Sequence, residues 1–335
     1  MKFLYPISLI YSILSRSDRK FSSPKELPKP VISVGNITWG GTGKTPIVIE
    51  LLNFLTSNNI KPVVLTRGYS RKSKIPLFLK GGADGIDVLM SGDEPLLIAK
   101  SVPETCVIVG SNRYKNALKF NSEINPDVYV LDDGFQHWNI KRELDIVCVN
   151  AANPFGNGML IPAGILREKP QALKRAGIII ITNSDMVLNK ELKELELKIL
   201  ALSGKTSIIT YYGGFEYKTV DLNTDFNPEF FEKADVYSLS AIGFARGFKN
   251  SIEKSGIIIK DNIVLRDHSS YADFKKIISQ KSENSYFIIT AKDAVKFQNI
   301  DANIKERSVV LVVKLQFAKG KDRWEQEVLK CLQSF

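Results

Sequence analysis

The sequence predicts an α/β fold in which a mostly parallel sheet carries helices on both faces. Two observations indicate this: short β-branched runs alternate with longer helical patterns, and those runs are apolar on both alternating faces. Strands of this kind are buried on both sides, which is typical of parallel sheets covered by helices. A glycine-rich turn between the first run and the first helix adds a third observation, because such sheets place ligands at the carboxyl ends of their strands.

The predicted elements of the first part of the chain alternate between strand and helix. Strands are predicted at Val31–Val34, Pro62–Thr66, Cys106–Gly110, Val128–Leu131, Asp145–Val149 and Gly177–Thr182. Helices are predicted at Thr45–Ser57, Glu94–Ala99, Arg113–Asn121 and Lys190–Leu202. This order predicts strand–helix–strand units with parallel neighbours.

A second, smaller α/β domain is predicted after Thr210, where the segment YYGGFEYKTVDLNTDFNPEFF is aromatic, rich in turn residues and lacks the buried-strand pattern. Further strands are predicted at Val236–Ile242, Gly256–Leu265, Tyr286–Thr290 and Val309–Leu315, and helices at Ala272–Gln280 and Arg323–Gln333. We therefore divide the chain into an N-terminal helix (residues 1–21), a first domain (22–208) and a C-terminal domain (209–335). For the last predicted helix, the sequence leaves open whether it packs back on the first domain.

Composition places the chain among globular proteins of a reducing compartment. Of its 335 residues 44% are hydrophobic and 14 are proline, so the chain is long and apolar enough for two domains of ordinary size or for one large one. Cys106 and Cys148 lie in apolar runs, and no cysteine pair has zinc-ligand spacing, so neither a disulfide framework nor a zinc module is predicted. The net charge of +10 suits a polyanionic ligand or an anionic membrane; the basic residues are dispersed and form no nucleic-acid-binding motif, so no nucleic acid partner is predicted.

The first 20 residues predict a helix that lies in a membrane interface. The run MKFLYPISLIYSIL is well short of the roughly 20 apolar residues that span a bilayer, and Arg16, Arg19 and Lys20 follow it. No small-x-small cleavage site follows, which argues against a cleaved signal peptide. Apolar groups in lipid and cations on anionic headgroups favour the interfacial helix. A helix of the domain core is the alternative.

The segment VISVGNITWGGTGKTP predicts a phosphate-binding loop between a strand and a helix, and so a P-loop NTPase-type domain. Glycine lets backbone N–H groups converge on phosphate oxygens, and the next helix adds its N-terminal N–H groups. Lys44 is placed to bridge the β- and γ-phosphates, and the Thr45 hydroxyl to bind Mg²⁺. Thr38 stands where the general pattern has a glycine. The predicted nucleotide-binding residues are Thr38, Gly40, Gly41, Thr42, Gly43, Lys44 and Thr45.

A P-loop alone does not distinguish a kinase from an ATPase or a GTPase. The predicted strand VYVL ends in Asp132 and Asp133, where P-loop enzymes organise magnesium, although Asp-Gly is also a common turn. A GTPase would carry an Asn/Thr-Lys-x-Asp segment after a late strand. Here the strand GIIIIT is followed by NSD, which begins at Asn183 and lacks the lysine, so ATP is favoured.

Other polar clusters also follow predicted strands or begin predicted helices. Because ligands bind beyond the carboxyl ends of parallel strands, these clusters are expected to gather at one edge of the sheet. The local alternative for each is an acid that caps a helix or a structural histidine. The clusters are Arg67 and Tyr69, Asp93 and Glu94, Gln136 and His137, Arg167 and Glu168, and His268 in the second domain.

Together these motifs resemble the tetraacyldisaccharide 4'-kinase (lipid A 4'-kinase) family. GGTGKTP, GDEP and DDGFQH form a far more specific set than a P-loop alone, and the N-terminus resembles the membrane-associating helix of that family. The matching stretches run in order from about residue 34 to 297: VGNITWGGTGKTP, LTRGYSRK, SGDEPLLIA, SNRYKNA, VLDDGFQH, IPAGILRE, AIGFARGF, LRDHSSYAD and ITAKDAVKF.

The resemblance implies transfer of the ATP γ-phosphoryl group to the 4'-hydroxyl of a tetraacyldisaccharide 1-phosphate in lipid A biosynthesis. The partners implied are this acylated disaccharide phosphate lipid and an anionic membrane surface. The enzyme would act at the cytoplasmic face of the inner membrane, as a peripheral or monotopic protein. The sequence predicts no particular oligomeric state.

The resemblance also implies the residue roles. Asp93 would accept the sugar hydroxyl proton, paired with His268, and Lys44 and Asp133 would complete the catalytic group. The implied Mg²⁺ ligands are Thr45, Asp132, Asp133 and Glu168, and the implied site-lining residues are Arg67, Tyr69, Glu94, Gln136, His137, Arg167 and Glu168. Candidates for the substrate 1-phosphate are Arg113, Arg71 and Lys72.

Two other functions remain as alternatives. A P-loop phosphotransferase or ligase for a soluble metabolite would have no use for the apolar N-terminal helix. A nucleotide-dependent ATPase switch would need no acceptor for a sugar proton, and Asp93 and His268 argue against it.

Overall fold

The computed structural model describes residues 4–69, 71–83, 85–298 and 300–333. The first three residues of the predicted N-terminal helix, the last two of the predicted C-terminal domain and Ser70 of the LTRGYSRK motif lie outside these ranges. The strands are β1 (Val31–Asn36), β2 (Pro62–Thr66), β3 (Leu77–Leu79), β4 (Cys106–Val109), β5 (Val128–Asp132), β6 (Leu144–Asn150), β7 (Ile178–Thr182), β8 (Ile208–Thr219), β9 (Asp235–Ser240), β10 (Asp261–Val264), β11 (Ser285–Thr290) and β12 (Ser308–Lys319). The helices are α1 (Tyr5–Phe21), α2 (Lys44–Ser57), α3 (Val88–Ser91), α4 (Asp93–Ser101), α5 (Arg113–Ile124), α6 (Asn189–Ser203), α7 (Ala245–Lys254), α8 (Tyr271–Ser279), α9 (Ala291–Ala294), α10 (Ala302–Arg307) and α11 (Lys321–Gln333).

The strands of the described residues form one sheet in the order β10-β9-β11-β12-β8-β7-β6-β1-β5-β2-β4-β3. Neighbours pair in parallel except at β3–β4 and at β8–β12. Strand β1 lies inside the sheet, parallel to β5 on one side and β6 on the other. The predicted mostly parallel α/β sheet is therefore confirmed.

Both faces of the sheet are covered, as the apolar strands predict. In β1, Ile32 and Val34 pack on one face with Leu51 of α2. Val31 packs on the opposite face with Ala117 of α5. All six residues of β1 are buried, so the strand that leads into the phosphate loop is fixed on both sides.

The first residues of the segment after Thr210 belong to strand β8, which the sequence did not predict. Strand β8 pairs in parallel with β7 only at Ile208 and Ile209, and then pairs antiparallel with β12. Most of the β8 residues beyond Thr210 are half-exposed and Gly213 and Gly214 interrupt them, so the pattern of a buried strand is absent. The two 12-residue strands β8 and β12 join the halves of the sheet. The division of the chain into two domains stays a prediction.

Other boundaries differ from the predicted ones. The predicted strand Gly256–Leu265 is shorter in the structure: only β10 is extended and paired, and residues 256–260 form a loop before it. Strand β3 has only three residues, which is too short to be recognised in the sequence. Helix α7 is not recognised because its sequence, ARGFKNSIEK, is mostly polar.

Helix α1 is docked on the loop between β6 and β7 by one buried serine. The Ser8 hydroxyl donates to the Leu160 carbonyl at 2.9 Å and accepts from the Ala163 amide at 3.1 Å. On the side of α1 that faces away from Ser8, the apolar side chains of Ile7, Ile10 and Ile13 are exposed. Within the part of the chain that the structure describes, no helix is both long and apolar enough to cross a membrane.

The C-terminal helix α11 packs on α2 of the first half through Trp324. The indole is 1% exposed, and its ring centroid lies 5.0 Å from that of Phe54 and 5.3 Å from that of Phe317. Val328 is buried in the same core. The last helix thus closes the core beneath the phosphate-loop helix.

We expect Trp324→Ala to lower the free energy of unfolding by about 3–5 kcal/mol, because it leaves a cavity between α11 and α2. The matched control is Leu197→Ala on α6, whose side chain is 60% exposed and which should change stability by less than about 0.5 kcal/mol. Urea unfolding followed by circular dichroism measures both. Equal losses for the two variants would contradict the packing described.

Candidate active site

Side chains at the carboxyl ends of three strands hold the phosphate loop by hydrogen bonds. The Asn36 amide donates to Thr42 Oγ1 at 2.8 Å, and the Thr182 hydroxyl donates to the Thr42 carbonyl at 2.9 Å. The Asn150 amide donates to the Gly41 carbonyl at 3.0 Å. These side chains lie on β1, β7 and β6, so the sheet itself sets the shape of the loop. Helix α2 begins directly after it.

The loop also needs glycine because other groups come very close to it. Gly43 has φ +75°, and a Cβ at this position would lie 2.9 Å from Tyr212 Oη and 3.3 Å from Thr182 Cβ. A Cβ on Gly41 would lie 2.9 Å from that of Phe244. Tyr212 and Phe244 belong to the second half of the chain, so both halves meet over the loop.

Two cations converge on Asp133, directly in front of the loop. Lys44 Nζ lies 3.4 Å from Asp133 Oδ1, and Arg167 Nη1 lies 2.8 Å from Oδ2. Burial alone would raise the pKa of Asp133, but Lys44 and Arg167 outweigh it and the pKa falls well below its usual range. Asp133 is therefore a carboxylate at neutral pH, flanked by two groups that also suit phosphate oxygens.

Asp132, the neighbouring acid, has the opposite shift. Its Oδ2 accepts from the Thr66 hydroxyl at 2.9 Å, and the side chain is buried. Burial, together with the negative charges of Glu94 and Asp133, raises the pKa of Asp132 to about 6. A divalent cation beside these acids would reverse that repulsion. In the described residues no group of three or more His, Cys, Asp or Glu side chains is arranged to hold a metal ion.

Gln136 and Glu168 are joined by a hydrogen bond next to the acidic strand end. The Gln136 amide donates to the Asn36 carbonyl and to Glu168 Oε1, both at 2.9 Å. Both Glu168 oxygens also face the Arg175 guanidinium, at 3.0 and 2.9 Å. The structure thus gives Glu168 the Gln136 amide and the Arg175 guanidinium as partners, and its roles as a metal ligand and a site-lining residue stay predictions.

Thr38 lies at the start of the phosphate loop. It is 3% exposed and pairs with Leu166 in an isolated antiparallel bridge. Its role as a nucleotide-binding residue stays a prediction. The bridge aligns Ile37 with Arg167, whose amide donates to the Ile37 carbonyl at 2.8 Å. Thr38 thus helps to position Arg167.

A histidine and an aspartate from opposite halves of the chain meet at the other end of the cleft. His268 Nδ1 lies 2.9 Å from Asp93 Oδ2. Asp93 is the first residue of α4 and is 7% exposed, while His268 follows β10 with φ +64°. The hydrogen bond to Asp93 raises the pKa of His268 despite partial burial. Burial would raise the pKa of Asp93, but the bond to His268 and the charge of Lys292 lower it.

His137 lies in the same cleft with a different electrostatic environment. Burial and the charges of Arg113 and Arg142 lower its pKa to about 4. It is therefore a neutral imidazole at physiological pH, suited to hydrogen bonding rather than to charge neutralisation.

The candidates for binding a substrate 1-phosphate are only partly available. Arg113 is buried and its Nη1 donates to the Asp132 carbonyl at 3.0 Å. Arg71 donates to the carbonyls of Ile75 and Val109. Lys72 is exposed. Arg113 thus binds the backbone at the end of β5, where Asp132 lies.

One cleft of about 1560 Å³ connects these groups. It exceeds the roughly 300–1,000 Å³ of a site for one small ligand and so has room for two substrates. Asp93 adjoins the cleft through its bond to His268, and Tyr11 brings α1 to the wall of the cleft. The predicted residues that line it are Gly40, Gly41, Thr42, Gly43, Lys44, Thr45, Arg67, Tyr69, Glu94, Arg113, Asp132, Asp133, Gln136, His137, Arg167 and His268.

Sequence reasoning missed two charged residues beside the Asp93–His268 pair. Lys292 Nζ lies 3.1 Å from Glu94 Oε1 and 3.5 Å from Asp267 Oδ1. Both residues stand in stretches that carry the family resemblance, ITAKDAVKF and LRDHSSYAD, but neither stretch by itself indicates a partner.

A family model described as tetraacyldisaccharide-1-P 4'-kinase matches residues 1–333. The chain belongs to the tetraacyldisaccharide 4'-kinase family. Its similarity to the tetraacyldisaccharide 4'-kinase of Halothermothrix orenii is 35% identity over 295 residues, which covers 83% of this chain and 77% of that protein. The Aquifex aeolicus family member is 31% identical over 307 residues, covering 89% and 90%. The resemblance found in the sequence is thereby confirmed.

A solved family structure has the same architecture. The crystal structure of the Aquifex aeolicus tetraacyldisaccharide 4'-kinase family protein LpxK, in complex with ATP, superposes with a TM-score of 0.79 at 28% identity and covers 99% of both chains. The P-loop NTPase-type fold is therefore confirmed over nearly the full length.

We expect Gly43→Ala to raise the Kd for ATP by at least about tenfold, because the added Cβ meets Tyr212 and distorts the loop. A loss of about 1.4 kcal/mol of binding free energy is enough for that change. Gly204→Ala is the matched control: its φ is also +75°, but a Cβ there meets nothing within 4 Å. Isothermal titration calorimetry measures both variants. Unchanged ATP affinity in Gly43→Ala would show that the loop does not bind the nucleotide.

Proposed function

We propose that the chain transfers the γ-phosphoryl group of ATP to the 4'-hydroxyl of a tetraacyldisaccharide 1-phosphate lipid. The observation that carries the proposal is the 2.9 Å contact of Asp93 with His268 in the cleft that also holds the phosphate loop. A nucleotide switch has no use for a proton acceptor at this place. Family membership supports the same reaction.

The phosphate loop, Lys44 and Arg167 are proposed to bind the ATP phosphates. The loop contributes N–H groups and the dipole of α2, and the two cations stand on either side of Asp133. Thr45, Asp132 and Asp133 are the residues that fit Mg²⁺, which would neutralise charge on the β- and γ-phosphates when bound. Most of the rate enhancement would come from this positioning and charge stabilisation.

Asp93 is proposed to act as the general base. Its lowered pKa keeps it ionised at neutral pH, and the His268 imidazole orients one of its oxygens. As the sugar oxygen forms its bond to the γ-phosphorus, the bond from that phosphorus to the leaving ADP oxygen breaks. The hydroxyl proton passes to Asp93. A sugar hydroxyl is a weak acid, so this transfer occurs late in the reaction.

The lipid substrate gives a role to α1. The exposed side chains of Ile7, Ile10 and Ile13 form one apolar stripe on α1, while Ser8 docks the helix and Tyr11 reaches the cleft. We propose that this stripe enters the interface of the cytoplasmic leaflet of the inner membrane, with Arg19 and Lys20 near anionic headgroups. The acceptor hydroxyl could then reach the cleft without the acyl chains leaving the membrane.

Incubation with γ-labelled ATP, Mg²⁺ and a detergent-dispersed tetraacyldisaccharide 1-phosphate tests the reaction. Labelled lipid with the phosphate on the 4'-oxygen supports the proposal. Hydrolysis of ATP without labelled lipid would instead favour an ATPase switch. Label in an added soluble metabolite would favour the soluble phosphotransferase.

We expect His268→Ala to reduce kcat for phosphoryl transfer by at least about 100-fold, the usual contribution of acid–base catalysis. ATP affinity should stay near that of the unchanged chain, since no bond of the phosphate loop involves His268. A loss of ATP binding in this variant, measured by calorimetry, would show that His268 is a structural residue of the nucleotide site.

Ile10→Asp is expected to weaken binding to anionic phospholipid vesicles, because it places a charge in the apolar stripe of α1. Leu197→Asp is the matched control, since Leu197 is exposed to a similar degree on α6 (60% against 58%). Vesicle co-sedimentation reports both. If the two variants bind vesicles equally well, α1 is not the membrane-binding element.

A further inference from the structure

Helix α9 carries a lysine that faces three carboxylates at once. Lys292 Nζ lies 3.1 Å from Glu94 Oε1, 3.5 Å from Asp267 Oδ1 and 3.8 Å from Asp93 Oδ2. Its side chain is only 16% exposed. Glu94 and Asp93 begin α4 in the first half of the chain, whereas Asp267 precedes His268 in the second half. Lys292 thus joins both parts of the proposed catalytic pair.

The backbone that carries Lys292 is firmly held. Asp293 is fully buried; its Oδ2 accepts from the Ala241 amide at 3.0 Å and from the Thr290 hydroxyl at 2.7 Å. Its Oδ1 pairs with Lys296 at 2.8 Å. These bonds tie α9 to the ends of β9 and β11. The ammonium of Lys292 is therefore presented from a rigid support, and Lys296 is largely engaged by Asp293.

The carboxylates need this cation in order to come together. Asp93, Glu94 and Asp267 would repel one another in a partly desolvated cleft, and repulsion between like charges separates the segments that carry them. The His268 imidazole is a neutral or singly charged partner, and it contacts Asp93 more closely than Asp267: Nε2 lies 3.8 Å from Asp267 Oδ2. Lys292 is the group in contact with all three acids.

We propose that Lys292 is the positioning residue of phosphoryl transfer, which holds Asp93 and the Asp267–His268 segment together so that base and imidazole meet. The proposal rests on the reaction proposed above. Lys292 touches neither the acceptor hydroxyl nor the phosphates in this scheme; it acts through Asp93 and His268.

The proposal has an electrostatic consequence. The groups that face this centre are Tyr69 after β2, Asp93 and Glu94 from α4, Asp267 and His268 after β10, Lys292 and Asp293 from α9, and Lys296 just after α9. Lys292 lowers the pKa of Asp93 and, less strongly than Asp93 raises it, also lowers the pKa of His268. Removing the ammonium raises the pKa of Asp93, and loosening of the Asp93–His268 bond raises it further. The same loosening removes the interaction that raises the pKa of His268 most, so the pKa of His268 falls. The acidic limb of the pH–rate profile should then move to higher pH, because Asp93 must be ionised to accept a proton.

The test compares Lys292→Met and Lys292→Gln with Lys292→Arg. The first two should lower kcat for lipid phosphorylation by about 10- to 100-fold, within the range of acid–base catalysis, and move the acidic limb to higher pH. The KM for ATP should not change. Lys292→Arg should retain the pH profile of the unchanged chain. Lys275→Met is the control for loss of a charge, since Lys275 pairs with Asp301 on the surface of the second half.

NMR titration of the histidine ring signals supplies a readout that does not depend on activity. The chain has only two histidines, so His268→Ala identifies both signals. Lys292→Met should lower the pKa of His268, because the bond to Asp93 that raises it is loosened, and leave that of His137 unchanged. A raised His268 pKa would overturn the positioning role, because it would show that Lys292 acts on His268 by its charge alone. An unchanged His268 pKa together with an unchanged pH profile would overturn the positioning role. If His268 shifts as expected but the unchanged chain does not phosphorylate the lipid, the proposed function fails and the positioning role stands. Should Lys292→Met not fold, Lys292→Gln decides by the same measurements.

Discussion

The contact between Asp93 and His268 is the interaction on which the rest of the site depends. The two residues are 175 positions apart in sequence and lie on opposite halves of the chain. They meet because β8 and β12 join the halves into one sheet, so that loops from both sides overhang the same edge. The phosphate loop lies at that edge as well, fixed by Asn36, Asn150 and Thr182. A proton acceptor and a phosphoryl donor can therefore occupy one cleft.

The charges in the cleft are arranged so that neighbouring acids have different roles. Asp133 faces Lys44 and Arg167 and is held ionised, whereas Asp132 lies deeper, beside other acids, and its pKa rises to about 6. At the far end Lys292 offsets the acids around Asp93. Each acid thus has an environment suited to the role proposed for it: phosphate or metal binding at one end, and proton acceptance at the other.

Much of this arrangement could be predicted from sequence because its signals are local. The buried run of β1, the glycines before Lys44 and the acids after β5 each occur within a few residues, and their order identified the family. The rest depends on contacts between distant segments. Strand β8 is half-exposed and interrupted by Gly213 and Gly214. Glu168 contacts Arg175, and only the fold brings Lys292 to Glu94 and Asp267, so none of these contacts could be derived from spacing.

A double-mutant cycle measures whether Asp93 and His268 act as one unit: Asp93→Asn, His268→Ala and the combined variant are compared in kcat/KM for lipid phosphorylation. If the pair acts as one unit, the combined variant should lose little more activity than the more damaging single substitution. Losses that multiply, with each substitution acting independently of the other, would show that Asp93 and His268 do not act together and would contradict the account.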